Sequence, residues 1–494
     1  MYVQLILNVL IGLVTVRLIL RALGQSDYGV YDVTGGVVGL LNFITTSLAQ
    51  SSMRFISVSL GKGDISDTNK VFNSCFWLHL AIAGALAFIL EFAGLFLFHG
   101  FLNIPEDRVH VAKIIYHCMV VSLFLRVNIS PMNALIGSFE EFWYVAFVSI
   151  MDSVLKLGIA IAITYTVGDK LLLYGFLMMG MSFVNLFLYF GYSRIKHGNV
   201  VRIRKPDFSG IKKVMGFAGW TFMDTFSSIV NRQGYAIMLN KFFGPVMNSA
   251  FALSRQLEGH MFSVSAAVVN AMKPQVMKSH GAGDDARMFR LSMTAGKFGF
   301  YMMSLIVIPL VVMMPEVLDL WLGEYPSETV TFARILMAAC MVEQLTRGLV
   351  HANQAVGNIK WFSIIVSSMR ILALPVSIAA LLMGAEAYVA ILIFLVFETI
   401  GSLCRVFILA RITDFNPGHF VRDVLVQVLP PSVVALAFCY FFYHLSGGIL
   451  WMCVTLVATC IVMAVIVFLF GLTREEKNFI LSLVGGHINR LIKK

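Results

Sequence analysis

Gly61-Lys62-Gly63-Asp64 recurs in the second half of the chain as Gly281-Ala282-Gly283-Asp284, at an offset of 281 − 61 = 220 residues. The same offset relates Gly24 to Gly244, and it relates three further residues to their counterparts, namely Asn133, Gly137 and Phe142 to Asn353, Gly357 and Phe362. Each match flanks long apolar runs, so we predict two similar bundles of membrane helices joined in tandem. Internal repeats of this kind are typical of transporters, in which cargo binds between two bundles that move against each other.

The composition indicates a membrane protein. Of the 494 residues, 59% are hydrophobic and 13% are charged, whereas soluble domains contain about 25% charged residues. Apolar runs of about 20 residues can cross a bilayer as helices, and we predict an all-α, polytopic protein with about 14 of them. The predicted membrane spans are residues 2–22, 30–53, 74–98, 110–132, 143–167, 171–192, 215–239, 246–271, 293–314, 330–353, 361–383, 387–410, 424–444 and 449–471.

The repeat divides the chain into four predicted segments. Residues 1–192 form an N-terminal six-helix lobe, and residues 193–214 form a basic cytoplasmic linker. Residues 215–411 form a C-terminal six-helix lobe, and residues 412–494 hold two extra transmembrane helices and a basic cytoplasmic tail. Within the thirteenth span, Pro430-Pro431 is expected to break or kink the helix because proline cannot donate a backbone hydrogen bond.

The net charge of +10 follows from topology rather than from nucleic-acid binding. Lysine and arginine cluster in alternate loops, above all in the linker 193–214. By the positive-inside rule this side is cytoplasmic, so both termini are expected to lie in the cytoplasm. We therefore expect a multi-pass protein of the bacterial cytoplasmic (inner) membrane, in contact with membrane lipids and with no nucleic-acid partner.

Soluble catalytic signatures are missing from the sequence. It contains no GxxxxGK[ST], HExxH or GxSxG motif, and its seven cysteines fall in predicted spans without CxxC spacing. We expect neither an enzyme nor a metal site, and no cofactor.

Ionisable residues within the spans are the main functional candidates, because charge is costly in hydrocarbon. Three pairs of opposite charge lie one helical turn apart and either join helices or act in function: Asp152 with Lys156, Arg255 with Glu258, and Glu343 with Arg347. Four arginines lack such a neighbour and must find a partner on another helix, reach the interface or face a wet cavity: Arg17, Arg126, Arg232 and Arg370.

Two predicted helices carry a polar stripe. In span seven the stripe consists of Asp224, Ser228, Asn231 and Tyr235, and in span two it consists of Asp32, Gly35, Gly39, Asn42, Thr46 and Ala49. A polar stripe that faced lipid would be expensive, so each must face protein or water. The stripes either pack tightly against other helices or line a central aqueous cleft, and Asp32, Asn42, Ser228 and Asn231 are the candidate cavity-lining residues.

An ordered series of motifs resembles bacterial polysaccharide and oligosaccharide-lipid flippases of the multidrug/oligosaccharidyl-lipid/polysaccharide (MOP) superfamily. The motifs are Leu23-Gly24-Gln25-Ser26-Asp27-Tyr28-Gly29-Val30-Tyr31, Arg54-Phe55-Ile56-Ser57, Gly219-Trp220, Asn240-Lys241-Phe242-Phe243-Gly244-Pro245, Lys273-Pro274-Gln275, Leu320-Trp321-Leu322-Gly323 and Gln354-Ala355-Val356-Gly357-Asn358-Ile359-Lys360. The resemblance implies two six-helix lobes in a V around a cavity that spans one, two, seven and eight line. It also implies a groove for a lipid tail beside spans thirteen and fourteen.

The cargo that this resemblance implies is an oligosaccharide on undecaprenyl diphosphate, flipped to the outer leaflet for surface polysaccharide biosynthesis. Because guanidinium groups bind phosphate oxygens in pairs, we predict four arginine ligands of the diphosphate: Arg17, Arg54, Arg232 and Arg255. Asp224 and Glu258 are the candidates for taking up a coupling ion.

Three alternatives remain at this stage. A multidrug extruder of the same fold would export cationic drugs and would favour an acidic cleft, whereas the predicted cavity helices carry more arginine than carboxylate. A membrane-embedded polysaccharide polymerase or ligase needs a large external loop, and none is present. A scaffold would use the polar stripes for packing alone. We expect a monomer, with a polysaccharide polymerase as a candidate partner.

Overall fold

The computed structural model describes residues 2–39, 41–98, 106–473 and 476–478, and within them it contains helices and short connections but no β-strand. The prediction of an all-α fold is confirmed. The helices are α1 (Tyr2–Gly39), α2 (Asn42–Gly61), α3 (Ile65–Phe96), α4 (Val109–Ser138), α5 (Phe142–Tyr165), α6 (Lys170–Lys196), α7 (Phe208–Phe243), α8 (Pro245–Gly281), α9 (Asp285–Val312), α10 (Met314–Leu322), α11 (Glu328–Val356), α12 (Lys360–Leu382), α13 (Ala387–Ile412), α14 (Pro417–Phe420), α15 (Val426–Tyr443) and α16 (Ile449–Ile466).

Nine segments of the described chain are long and apolar enough to cross a membrane. They comprise α3, α4, α5, α6, α9, α12 and α13, the segment Pro417–Tyr443 that contains α14 and α15, and the segment Ile449–Gly471 that contains α16. This number confirms a multi-pass membrane protein. The count of fourteen spans stays a prediction.

The sequence repeat appears in the helix boundaries. α2 ends at Gly61 and α8 ends at Gly281, which keeps the offset of 281 − 61 = 220 residues. In the turns that follow, Gly63 and Gly283 have φ angles of 77° and 78°, a left-handed conformation that glycine adopts without steric strain. The recurring glycines are therefore the positions at which both halves make the same turn.

The first predicted loop differs from the observed structure. Residues 23–29 are predicted to separate two spans, and the structure shortens this separation to one residue: two helical stretches of α1 meet at a kink at Gly24 (φ 78°, ψ 169°). Its counterpart Gly244 (φ 82°) separates α7 from α8. One residue of positive φ is enough to redirect the chain, so no polar loop is needed.

Pro430-Pro431 do not break the helix, because both prolines lie inside the continuous helix α15. The alternative, a kink at these prolines, stays a prediction. Pro431 has no N–H to donate to the carbonyl of Gln427, four residues earlier. That carbonyl instead accepts a hydrogen bond from the Tyr301 hydroxyl at 2.9 Å. A side chain from α9 therefore satisfies a backbone group that proline leaves unpaired.

The chain forms two compact units. The first unit contains Met1–Phe226, Pro274–Asp285 and Gln354–Ile359, and the second contains Ser227–Lys273, Ala286–Asn353 and Lys360–Lys494. A core around Leu78, Tyr116 and Val127 lies in the first unit. A core around Tyr235 and Phe251 lies in the second unit. The predicted domain boundaries at residues 192, 214 and 411 stay a prediction.

In the first unit, two glutamates at the α4–α5 connection tie several helix ends together. Glu140, in a left-handed conformation (φ 65°), accepts hydrogen bonds from Lys278 at 2.7 Å and from Gln275 at 2.9 Å. Glu141 pairs with Lys196 and with His197 at the end of α6. Burial raises the pKa of the Glu141 carboxyl, but the hydrogen bonds from Lys196 and His197 outweigh it and hold that pKa below its usual value.

The ends of α2 and α8 approach each other closely within the first unit. A Cβ atom added at Gly61 would collide with the backbone of Lys278, and one added at Gly281 would collide with the backbone of Val58. Gly61 and Gly281 therefore permit a backbone-to-backbone contact, while Gly63 and Gly283 make the turns that follow.

We predict that Gly61→Ala and Gly281→Ala each lower the free energy of unfolding by about 1–3 kcal/mol, the usual cost of overpacking. Gly84→Ala in α3 is the matched control, because a Cβ there meets no atom within 4 Å. Thermal unfolding of the purified variants in detergent measures the effect. Equal melting temperatures for Gly61→Ala, Gly281→Ala and Gly84→Ala would show that the α2–α8 contact is not constrained.

Candidate functional site

Two of the four predicted diphosphate ligands are exposed. Arg17 lies on α1 in the first unit, and Arg232 lies on α7 in the second. Neither forms an ion pair or a hydrogen bond with the residues that the structure describes. Their guanidinium groups are available to a ligand, and their assignment to the diphosphate stays a prediction.

Arg54, the third predicted ligand, holds the end of a helix. Its Nε donates to the carbonyl of Gln354 at 2.7 Å and its Nη2 donates to the carbonyl of Ala355 at 3.1 Å. These carbonyls belong to the last turn of α11, where no helical N–H is left to pair with them. Gly357 follows with a φ of 87°, and a Cβ there would collide with the Arg54 guanidinium. Arg54 thus has a capping role that the sequence did not reveal, and its role as a ligand stays a prediction.

Arg255 and Glu258 form the ion pair that their spacing on α8 predicts. Arg255 Nη1 lies 3.0 Å and 2.7 Å from the two carboxylate oxygens of Glu258. The guanidinium also lies 5.1 Å from the ring centroid of Phe251 and 4.6 Å from that of Phe394. Its Nε is buried and has no hydrogen-bond partner among the described residues. Arg255 is therefore held in place while one of its donors remains unused.

Glu343 does not pair with Arg347 as their spacing predicts. It pairs instead with Arg370 of α12 at 3.4 Å and with Arg405 of α13 at 3.9 Å. Glu398 of α13 completes the group, at 2.9 Å from Arg405 and 3.6 Å from Arg370. Arg370 thus finds its partners on other helices, one of the three outcomes expected for an arginine without an acidic neighbour on its own helix.

Glu398 and Arg405 were not predicted from the sequence. Their side chains are only 5% and 2% exposed, which makes them among the most deeply buried charges of the described chain. One feature of the sequence could have identified this pair. Glu398 and Arg405 are seven residues apart within one apolar helix, which puts them two turns apart on the same face.

The polar stripe of α7 contacts α12 within the second unit. Ser228 accepts a hydrogen bond from Arg370 Nη1 at 3.0 Å, and Asn231 donates to the Arg370 carbonyl at 2.6 Å. The Tyr235 hydroxyl donates to the carbonyl of Ala373 at 3.2 Å. These bonds are what the packing alternative expects, and the lining of a cavity by Ser228 and Asn231 stays a prediction.

The structure gives less information about the remaining candidates, Asp224, Asp32 and Asn42. Asp224 lies on α7 in the part that belongs to the first unit. The side chains of Asp32 and Asn42 lie outside the described part of the chain, so their predicted place in a cavity stays a prediction.

Arg347 is a half-buried cation without an ion pair among the described residues. Its guanidinium lies 3.3 Å from the ring centroid of Phe262, and its Nη1 has no hydrogen-bond partner in the described structure. Lys273, 8% exposed, lies within electrostatic range of it. Two like charges in such a place would be stabilised by an anion.

We call one group in the second unit the cationic cluster: Arg255, Arg347, Arg370 and Arg405 with Glu258, Glu343 and Glu398. Glu343 lies within electrostatic range of all four arginines. The cluster contains four arginines and three glutamates, so its formal charge is 4 − 3 = +1. Three of its guanidinium nitrogens, in Arg255, Arg347 and Arg405, are buried without hydrogen-bond partners among the described residues. Unused buried donors are costly, and they indicate a site that water or an anionic ligand completes.

The sequence matches a known protein family. The model of a family of polysaccharide biosynthesis proteins matches residues 2–274, more than half of the sequence. The chain belongs to this family. The resemblance to polysaccharide flippases of the MOP superfamily is thereby confirmed at the level of the family.

Solved structures similar to this chain include transporters of the MOP superfamily. A MATE protein in complex with MaD3S has a TM-score of 0.67 at 13% identity, covering 84% of this chain and 95% of its own. An outward-facing multidrug resistance MATE family transporter has a TM-score of 0.65 at 13% identity, covering 83% and 94%. A MOP superfamily transporter from Pyrococcus furiosus has a TM-score of 0.63 at 13% identity, covering 83% and 94%. These likenesses establish the fold, and no curated protein matches the sequence.

We predict that Arg405→Met lowers the free energy of unfolding by about 3–5 kcal/mol, because the buried carboxylate of Glu398 loses its closer partner and keeps only the contact with Arg370 at 3.6 Å. The double variant Arg405→Met/Glu398→Met removes both charges and should regain most of the lost stability. Thermal unfolding of the two variants and of Glu398→Met alone completes the cycle. A double variant as unstable as the sum of the single variants would mean that the two charges do not interact.

Proposed function

We propose that the protein flips undecaprenyl-diphosphate-linked oligosaccharide units from the cytoplasmic to the outer leaflet of the inner membrane, by alternating access, for surface polysaccharide biosynthesis. In this proposal it is a monomer of the bacterial cytoplasmic membrane with both termini in the cytoplasm. A polysaccharide polymerase is the candidate partner that would use the flipped units. Membership of the family and the transporter fold support this proposal.

The observation that carries the proposal is the positive excess of the cationic cluster. A diphosphate headgroup cannot cross about 30 Å of hydrocarbon unaided, because its negative charge loses its hydration. Arginine offers such a group paired, charge-assisted hydrogen bonds. A cluster with a formal charge of +1 and three unused guanidinium nitrogens supplies both the charge and the donors.

Arg255 is the proposed central ligand of the diphosphate. Its guanidinium is oriented by Glu258 and by two aromatic rings, and its Nε remains unused. Arg347 is the proposed second ligand, since no carboxylate of the described chain pairs with it. Arg17, Arg54 and Arg232 are proposed as further contacts along the path of the headgroup.

A multidrug extruder is the second candidate, because multidrug transporters share the fold. Cationic drugs would meet repulsion from the arginine excess, which disfavours this candidate. The Pyrococcus furiosus transporter of the same fold is described as having a binding pocket of reverse polarity that suggests a different function. A membrane-embedded polymerase or ligase is disfavoured because the family and its structural neighbours are transporters rather than enzymes.

The sidedness of lipid-linked oligosaccharide tests the proposal in cells depleted of this protein and free of any second flippase. We expect the units to accumulate on the cytoplasmic face, out of reach of an external sugar-specific label, and the intact protein to reverse this. Arg255→Ala should lower the flipping rate about 10- to 100-fold, the effect of losing about 1.5–3 kcal/mol of a charge-assisted hydrogen bond.

Arg411→Ala is the matched control, because it removes an exposed cation from the second unit outside the cationic cluster. It should flip at the normal rate. Normal sidedness in depleted cells would overturn the proposed function. Full activity of Arg255→Ala at normal membrane abundance would instead remove Arg255 from the site.

Glu258 is the proposed coupling group, and Asp224 is the alternative. Protonation of Glu258 would cancel its ion pair with Arg255 and free that guanidinium for the diphosphate. We therefore expect flipping in proteoliposomes to depend on a proton gradient, and we expect Glu258→Gln to abolish this dependence because glutamine cannot take up the proton. Flipping that is insensitive to both proton and sodium gradients would contradict a coupling role for either carboxylate.

A further inference from the structure

A separate cavity of about 480 Å³ lies inside the first unit. Its wall is made by residues of α1, α4, α5 and α6, and none of the residues assigned above to the diphosphate lines it. Pockets for small molecules usually have volumes of about 300–1,000 Å³, so this cavity has room for a ligand of monosaccharide size.

The charges on this wall are unequal. Asp152 pairs with Lys156 at 2.7 Å, so the charges of these two side chains neutralise each other. Asp152 also accepts a hydrogen bond from Asn185 at 2.7 Å. Arg126 lines the same cavity and is exposed to it. It forms no ion pair and no hydrogen bond with the residues that the structure describes. Among the described residues, the cavity therefore carries one positive charge without a counter-charge.

The position of Arg126 makes this charge significant. It lies midway along α4 (Val109–Ser138), a helix long and apolar enough to span the membrane. An arginine at that depth is costly unless it meets water or an anion. Because one guanidinium without an ion pair faces the cavity in the described structure, a monoanion matches the site better than a phosphate dianion.

The rest of the wall suits a hydroxylated ligand. Ser122, Ser149 and Ser182 provide hydroxyl groups, and Tyr31 and Tyr189 provide both hydroxyl groups and aromatic surface. Pockets of this kind use a few polar groups to orient a ligand against largely apolar walls. The wall therefore places hydroxyl, amide and carboxylate groups around one guanidinium. The guanidinium suits a carboxylate and the other groups suit sugar hydroxyls, so together they match a sugar that carries one carboxylate.

We infer that this cavity binds a carboxylate-bearing sugar unit, with Arg126 paired to the carboxylate and with Asn185 and the wall hydroxyls bonded to the sugar hydroxyls. The inference rests on the proposed function for the origin of the sugar, which would be one unit of the transported oligosaccharide. The binding itself requires no transport.

Saturation-transfer NMR on the purified protein in detergent tests this, with sodium glucuronate as the probe and glucose and inorganic phosphate as comparators. We expect glucuronate to bind at least about 10-fold more tightly than glucose, as one charge-assisted pair of about 1.4 kcal/mol would give. An equal signal from glucose, or full displacement of glucuronate by equimolar phosphate, would overturn the proposed sugar class.

Three variants connect the binding to Arg126. Arg126→Gln should lose the preference for glucuronate over glucose, and Arg126→Lys should keep most of it because the charge remains. Lys113→Gln is the matched control, since it removes an exposed cation of the same helix that does not line the cavity. If Arg126→Gln and Lys113→Gln bind glucuronate equally well, the assignment is wrong. Should Arg126→Gln fail to fold, a loss of binding in Arg126→Lys alongside normal thermal stability would also overturn it.

The outcome is distinguishable from that of the proposed function. Glucuronate binding through Arg126, together with normal oligosaccharide sidedness in depleted cells, would support the sugar site and overturn the flippase. Loss of flipping on depletion, together with no glucuronate binding, would support the flippase and overturn the sugar site.

Discussion

The ion pair between Arg405 and Glu398, at 2.9 Å and almost fully buried, is the interaction on which the second unit depends. Neither charge can remain alone in an apolar interior, so the two must stay together and the helices that carry their other partners must stay with them. Arg370 and Glu343 bring in α12 and α11, and the contacts of Ser228 and Asn231 with Arg370 bring in α7. One electrostatic requirement therefore fixes the packing of four helices.

The first unit depends more on backbone contact than on charge. Gly61 and Gly281, equivalent positions of the repeat, let α2 and the end of α8 approach until their backbones touch. Side chains at these positions would force the helices apart. Many residues could end a helix, so the helix ends alone do not require glycine at positions 61 and 281. The backbone contact does require it, and the repeat therefore preserves a packing surface as well as a turn.

Properties that local sequence determines could be predicted, and these include the all-α membrane fold, the repeat, the family and the Arg255–Glu258 pair one turn apart. Properties that depend on distant partners could not. Arg54 caps α11 by binding carbonyls 300 and 301 residues away, and nothing near Arg54 in the sequence indicates this. Likewise, Glu343 pairs with Arg370 and Arg405, which lie on two other helices, and not with Arg347 on its own helix. Helical spacing shows that Arg347 is within reach, but the packing of the helices decides which arginine Glu343 pairs with.

Charge selects cargo by repulsion as well as by attraction. Arg126 has no ion-pair partner among the described residues of the first unit, and the seven residues of the cationic cluster in the second unit have a formal charge of +1. A carrier of cationic drugs would have to bring its cargo next to these arginines, and like charges brought together in a medium of low dielectric constant cost several kcal/mol. An anionic cargo instead removes the energetic penalty that each unpaired guanidinium imposes on the empty protein. The arginines that destabilise the unliganded interior are thus the groups through which an anion would be recognised.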